Sequence, residues 1–198
     1  KDDLADIVEA LDYAAHWLRY QSGPNLINDA LNLDCDDEAR HRDLVDFLSS
    51  RARRDVEEQL EDAEPHVEHE RLDNGAHLYR LDVENHARRF TYPAPGKTTG
   101  ELHDRKVTET GDPVITIGYG PDFAVLRSDG VRLDIPNMVT ELQDEIEGAG
   151  VSGGGHLVVG SIKFVSGMRE PVIDALVEKM EAAEIDEDLR STLLRDDD

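Results

Sequence analysis

Residues 151–164 read VSGGGHLVVGSIKF, three glycines and a histidine in front of an apolar run. Glycine costs conformational entropy when it is ordered, so three in succession call for a reason. Without Cβ atoms, the backbone at Gly153, Gly154 and Gly155 can be approached closely by another group. Consecutive main-chain N–H groups there can form a small concavity for an anion. His156 sets an imidazole beside it, a donor when protonated and a donor–acceptor when neutral. The same letters also suit a plain loop between a helix and a strand, with a surface histidine.

Other stretches invite chemical readings and support less. PAPGKTT (93–99) has the Gly-Lys-Thr of a phosphate-binding loop, but residue 91, where the first glycine of that motif would fall, is threonine. Lys97 and Thr98 stay as candidate phosphate contacts on a proline-punctuated turn. HVEH (66–69) puts His66 and His69 on opposite faces if the segment is extended, which is poor spacing for a metal. His103-Asp104 reads as a surface pair, Arg88-Arg89 as salt-bridging arginines, and DCDDE (34–38) as the acidic start of a helix. No catalytic residue and no metal ligand is assigned.

Composition bounds the function. The chain has 198 residues, 38% of them hydrophobic and 5% aromatic. Its mean hydropathy is -0.55. No apolar run is long enough to span a bilayer, and no signal-peptide pattern stands at the start, so no membrane partner is expected. A single Cys35 excludes an internal disulfide and fits a reducing, cytoplasmic setting. Asp and Glu number 45 against 21 Lys and Arg, for a formal charge of -24. The acids are spread along the chain and lysine is scarce, a pattern expected of a protein adapted to a salty cytoplasm. Self-repulsion there is screened. In that setting net acidity does not exclude a nucleic-acid partner.

The elements that must position these residues change character near residue 65. Before it, Leu4, Ile7, Val8, Leu11, Ala14, Ala15 and Leu18 recur at helical spacing up to Gly23-Pro24. A short apolar piece (26–33) follows. A long helix over roughly 36–63 carries Leu44, Val45, Leu48, Ala52, Val56 and Leu60 and stops at Pro65. Beyond it, 66–72 and 76–83 flank Asp73-Asn74-Gly75, a hairpin signature. Val114–Tyr119 and Phe123–Ser128 form a second pair around Gly120-Pro121-Asp122. A helix follows Pro136, then a glycine loop, a strand over Leu157–Val165 and a helix from about Pro171. The fold class is α/β (α+β): a helical connector over 1–64, then a mixed sheet with packed helices over 65–198.

FAVLRSDG, then a helix, then SGGGHLVVGSIKF resembles the DHH-associated, substrate-binding domain of the DHH phosphoesterases, the superfamily of the RecJ exonucleases. The family shows an Arg-Ser pair ending a strand, a helix, and a Gly-Gly-Gly-His loop followed a few residues later by Ala-Gly or a small pair. Here these are Arg127-Ser128, Gly153-Gly154-Gly155-His156 and Gly160, with Val159 where alanine is usual. RRFTYPAPGKTTGELHD and PVITIGYGPDFAVLRS make the likeness strongest to archaeal RecJ-like proteins, over roughly residues 77–180.

The resemblance implies that Arg127, Ser128, Gly153, Gly154, Gly155 and His156 contact a single-stranded nucleic acid. Stacking on Phe90, Tyr92 or Tyr119 would add to the affinity. The family's hydrolytic centre uses divalent metal, manganese or magnesium, held by aspartates and an Asp-His-His motif that this sequence lacks. The chain starts at Lys1 inside a helical pattern, so it is expected to be the C-terminal part of a longer protein. By itself it is expected to be inactive and to hold no cofactor. Its expected partners are single-stranded nucleic acid, its own N-terminal DHH domain and replication or repair proteins. Two alternatives remain: a non-catalytic nucleic-acid-binding or replisome scaffold module, and part of a nanoRNase or phosphatase of the same superfamily.

Overall fold

The computed structural model describes residues 2–17, 38–88 and 91–191. The expected short apolar piece at 26–33, the Gly23-Pro24 stop, Phe90 and Arg89 lie outside the described residues. The chain divides into two compact units, one of residues 1–61 with 88–94 and one of residues 62–87 with 95–198.

In the first unit, α1 (Asp2–Trp17) and α2 (Glu38–Ala63) are the long helices, the latter ending in the second unit. Ala10, Tyr13 and Ala14 of α1 are buried, as are Val45, Leu48, Ala52, Val56 and Leu60 of α2, at the helical spacing the sequence shows. Segment 88–94 returns to these helices. The Arg88 amide donates to Gln59 Oε1 at 2.8 Å, the Arg88 guanidinium pairs with Glu58, and the buried Tyr92 hydroxyl donates to Asp12 at 2.9 Å. Arg88 is thus a salt-bridging arginine.

The second unit is built on a six-stranded mixed sheet, ordered β1-β2-β3-β4-β7-β6. Strands β1 (Glu68–Arg71) and β2 (His77–Asp82) are the expected hairpin. Its turn holds Gly75 at φ +92°, and Asn74 donates to the carbonyls of Met180 and Ala183, tying the turn to the far end of the chain. After the four-residue helix α3 (Val83–His86), helix α4 (Pro95–Thr110) carries the chain from β2 to β3 (Val114–Tyr119), which runs parallel to β2. Every other neighbouring pair in the sheet is antiparallel. Strand β4 (Phe123–Asp129) leads through β5 (Val131–Arg132) to α5 (Ile135–Glu145). Strands β6 (Ser152–Gly155) and β7 (Val159–Lys163) form a hairpin at the sheet edge. Helix α6 (Arg169–Glu181) and β8 (Glu184–Ile185), paired with β5, complete the unit.

The two faces of the sheet follow the period of two along each strand. Leu78, Ile115, Ile117, Ala124, Leu126 and Ile162 point to one face and pack against Ile135, Met138 and Leu142 of α5 and Val172, Leu176 and Met180 of α6, all buried in one core. The opposite face takes α4.

Helix α4 has no counterpart among the expected elements. Its first turn is Pro-Gly-Lys-Thr-Thr, which reads as a turn, and its apolar stripe is little more than Leu102 and Val107. The helix instead buries polar residues, Thr98, Thr99, His103 and Lys106. Close approach explains why this works. A Cβ on Gly118 of β3 would sit 1.9 Å from Thr99 Oγ1, so the helix lies on the strand only because residue 118 has no side chain. The glycine stretch is likewise a strand and not a loop: Gly153–Gly155 are paired residue by residue with β7.

Candidate functional site

On the α4 side of the sheet, strands β4, β7 and β6 carry three rows of residues in register. Arg127 stands opposite Val159, Val125 opposite Ser161 and Gly154, and Phe123 opposite Lys163 and Ser152. Helix α4 packs over β3 and β4. Ser152, Gly154, Ser161 and Lys163 are exposed. The exposed part is nearly flat, because it offers two serines and a glycine with one lysine.

The four glycines of this hairpin have different reasons. A Cβ on Gly153 would lie 2.2 Å from the Ser161 carbonyl oxygen, and one on Gly155 would lie 2.3 Å from that of Val159. On Gly160 it would meet the Gly154 carbonyl oxygen at 2.6 Å and Ile135 at 2.8 Å. Those three are required by the tight pairing of β6 with β7 and by the seat of α5 beneath it. Gly154 is not: nothing lies within 4 Å of its Cβ position, and its φ is not positive. Nothing in the packing of the described residues requires residue 154 to be glycine.

His156 sits at the turn between the two strands, exposed. Its amide donates to the Val159 carbonyl at 2.7 Å and its carbonyl accepts from the Ile135 amide at 3.3 Å. The carbonyls of Leu157 and Val158 accept from Leu133 and Ser128. Each carbonyl from His156 to Val159 thus accepts a main-chain hydrogen bond, while the imidazole is left to solvent.

Arg127 meets the same corner through Val159, its partner in register, whose carbonyl accepts the His156 amide. The guanidinium lies on α4 at Gly100, where a Cβ would be 3.0 Å from Nη2. Its Nε is buried without a hydrogen-bond partner among the described residues. It forms no ion pair with the described carboxylates, in a chain with more than twice as many acids as bases. Beneath it His103 is buried, 3.0 Å from Thr116 Oγ1 through Nδ1. Burial pushes the His103 pKa down to about 4, and the Arg127 charge adds to this against the opposing pull of Asp129. His103 is therefore a neutral support under the site and not half of a surface pair.

The remaining candidates fall elsewhere. Ser128 points to the other face, buried, and its hydroxyl donates to the Val131 carbonyl at 2.8 Å. It shapes the chain reversal and cannot share a ligand with Arg127. Thr98 is 1% exposed on the first turn of α4, and Lys97 pairs with Glu101 at 3.4 Å. Both sit on a helix where the sequence suggested a turn. Tyr92 is buried and Tyr119 half-buried beside Arg169, whose guanidinium carbon lies 5.8 Å from the ring centre. His66 stacks on His86, and His69 stacks on His77 and Tyr79. Among the described residues, no three His, Cys, Asp or Glu side chains are placed to hold a metal ion, so the family's divalent metal has no fitting donor set among them. No described helix is long and apolar enough to cross a membrane. Sequence reading overlooked Phe123 and Lys163 as members of this face. Their signal was the alternation Phe123–Val125–Arg127 against Val159–Ser161–Lys163.

Fold and site together point to a class: the structural neighbours of this chain are DHH-domain proteins, whose mixed α/β architecture it shares. Among solved structures, the chain is similar to the DHH domain of a protein described as a member of a family of ribosomal proteins, at 35% identity and a TM-score of 0.83, over 96% of this chain and 43% of that one. It shares its fold with RecJ of Thermus thermophilus in complex with Mn2+, at 16% identity and a TM-score of 0.54, over 92% of this chain and 24% of that one. In sequence it is 40% identical over 185 residues to an uncharacterised protein of Methanocaldococcus jannaschii. That stretch is 90% of this chain and about a quarter (24%) of the relative. No family model matches.

Proposed function

We propose that this chain is the single-strand nucleic-acid-binding part of a RecJ-like, metal-dependent exonuclease or phosphodiesterase, and that the hydrolytic metal centre belongs to a part of the parent protein outside these residues. The observation that carries this reading is Gly154. It is the one glycine of the hairpin with no internal reason to be glycine, and it lies on the face that also presents an arginine that forms no ion pair among the described residues. A bare backbone in the middle of a flat strand surface lets a sugar-phosphate chain lie against the sheet. Arg127 supplies a planar fork of donors that suits phosphate. His156 supplies a donor at the rim from a turn whose carbonyls each accept a main-chain hydrogen bond. Such contacts fix the position of a strand and carry little sequence information.

Ser128 has no direct part in this reading. Gly153 and Gly155 serve by letting the hairpin close. Lys97 and Thr98 act only through the position of α4.

The test is fluorescence anisotropy of a labelled single-stranded oligonucleotide in high salt. Arg127→Ala and His156→Ala should each weaken binding by about tenfold, the loss of one directed hydrogen bond to a charged group, with circular dichroism unchanged. Hydrolysis of the same oligonucleotide with Mn2+ or Mg2+ should be absent from the isolated chain. Binding that neither variant disturbs, or metal-dependent turnover lost on mutating residues of this chain, would overturn the reading.

A further inference from the structure

Resting on that reading, we infer that the bound strand crosses the whole β4–β7–β6 face, from Arg127 to a second contact formed by Lys163 and Phe123, where one phosphate is paired and one base is stacked. Lys163 is exposed and, like Arg127, forms no ion pair with the described residues. Every other described lysine and arginine of the second unit has a carboxylate or another partner, from Arg71 with Asp112 to Lys179 with Glu141 and Glu145. In so acidic a chain, the two cations without an ion pair share one face of one sheet, Arg127 having the more distant charge of Asp104 acting on it. Charge complementarity therefore points to an extended anion lying along β7.

The register places them at opposite ends of that face. Arg127 pairs with Val159 and Phe123 pairs with Lys163, four residues further along each strand. Four residues of strand span about 13 Å, room for more than one nucleotide. Alongside α4, which packs over β4, the sheet surface between the ends carries Val125, Ser161 and Gly154, too small to hold a nucleic-acid strand off the exposed β7 and β6. Phe123 is half-buried, its ring resting on Gly120 of the β3–β4 turn, where any Cβ would come within 2.3 Å of the ring. An aromatic face held in place beside a cation is the pairing that single-strand binders use, since every base can stack and every nucleotide carries a phosphate.

The experiment compares 5′-fluorescein oligothymidylates of two, four and eight nucleotides on the 198-residue chain by anisotropy, across a range of KCl. Wild type should bind the four-nucleotide probe more tightly than the two-nucleotide one. Phe123→Ala should remove most of that gain, about fivefold, and Lys163→Gln should make the plot of log affinity against log salt shallower by about 0.7, one single-strand phosphate. Phe123→Leu, which keeps the apolar seat on Gly120 and loses the ring, should match Phe123→Ala and covers the case where the alanine variant folds poorly. If Arg127→Ala weakens every probe while the Phe123 and Lys163 variants behave as wild type, the second contact is wrong and the nucleic-acid reading stands. If wild type binds no probe, or Arg127→Ala has no effect, both fall.

Discussion

Lowering the pH should unload a definite part of the second unit's stability through His103. In the folded chain its pKa is about 4, because burial disfavours the imidazolium and Arg127 lies close by. In the unfolded chain it returns to about 6.5. The folded state therefore binds the proton less well than the unfolded state, and stability falls as pH falls. The contribution is whole above pH 6.5, declines through the window from 6.5 to 4, and changes no further below 4. Over that window it amounts to about 3 kcal/mol, of which about 2 kcal/mol is gone by pH 5. Urea unfolding at fixed high salt, at pH 8 and pH 5, reads the difference. Carboxylates titrate in the same direction, so the comparison is with His103→Gln, which keeps a donor and an acceptor for Thr116 and does not titrate. The acid-induced loss should be smaller in the variant by about 2 kcal/mol at pH 5. The imidazole resonance of His103 supplies a direct check. A midpoint near 6.5, or equal acid sensitivity in both proteins, would mean that His103 is hydrated and that α4 does not seal it against β3.

Two other outcomes follow from the same geometry. Gly155→Ala should destabilise the second unit by about 1–3 kcal/mol, since its Cβ would fall 2.3 Å from the Val159 carbonyl oxygen, while Gly154→Ala should leave chemical denaturation unchanged; equal effects would show that the hairpin adapts to a methyl group at either place. The thermal midpoint should rise between low and molar KCl as the formal charge of -24 is screened, and a flat or falling midpoint would assign the acidity another role.

The strands were legible where alternation and turn chemistry coincide. Asp73-Asn74-Gly75 and Gly120-Pro121-Asp122 marked two hairpins; beside the second, β4 alternates between half-buried and buried while β3, covered by helices on both faces, is buried along nearly its whole length. The helices carrying Met138 and Leu142, or Val172 and Leu176, were legible because their stripes are apolar. Helix α4 was hidden because its buried side is made of threonine, histidine and lysine and its contact with β3 depends on a missing side chain at Gly118. Tertiary fit, not periodicity, makes it a helix. The glycine run was seen for its chemistry and misassigned in structure, since three glycines look like a loop until a partner strand supplies the pairing.

This pairing also joins packing and chemistry at the site. A strand of glycines at a sheet edge is intrinsically weak, costing entropy and offering no side chains to pack. Here the turn that follows is held by four backbone hydrogen bonds, from His156 to Val159, Ile135 to His156, Leu133 to Leu157 and Ser128 to Val158. Three of the glycines are consumed by that close packing. The remaining one, Gly154, faces the same way as Arg127 and Lys163. Among the described residues of the second unit, these two cations are left without an ion pair on the surface that is kept flat. The rigidity of the hairpin comes from backbone brought so close to backbone that side chains at Gly153, Gly155 and Gly160 had to be given up, whereas the openness of its outer face comes from Gly154, which no packing contact among the described residues requires.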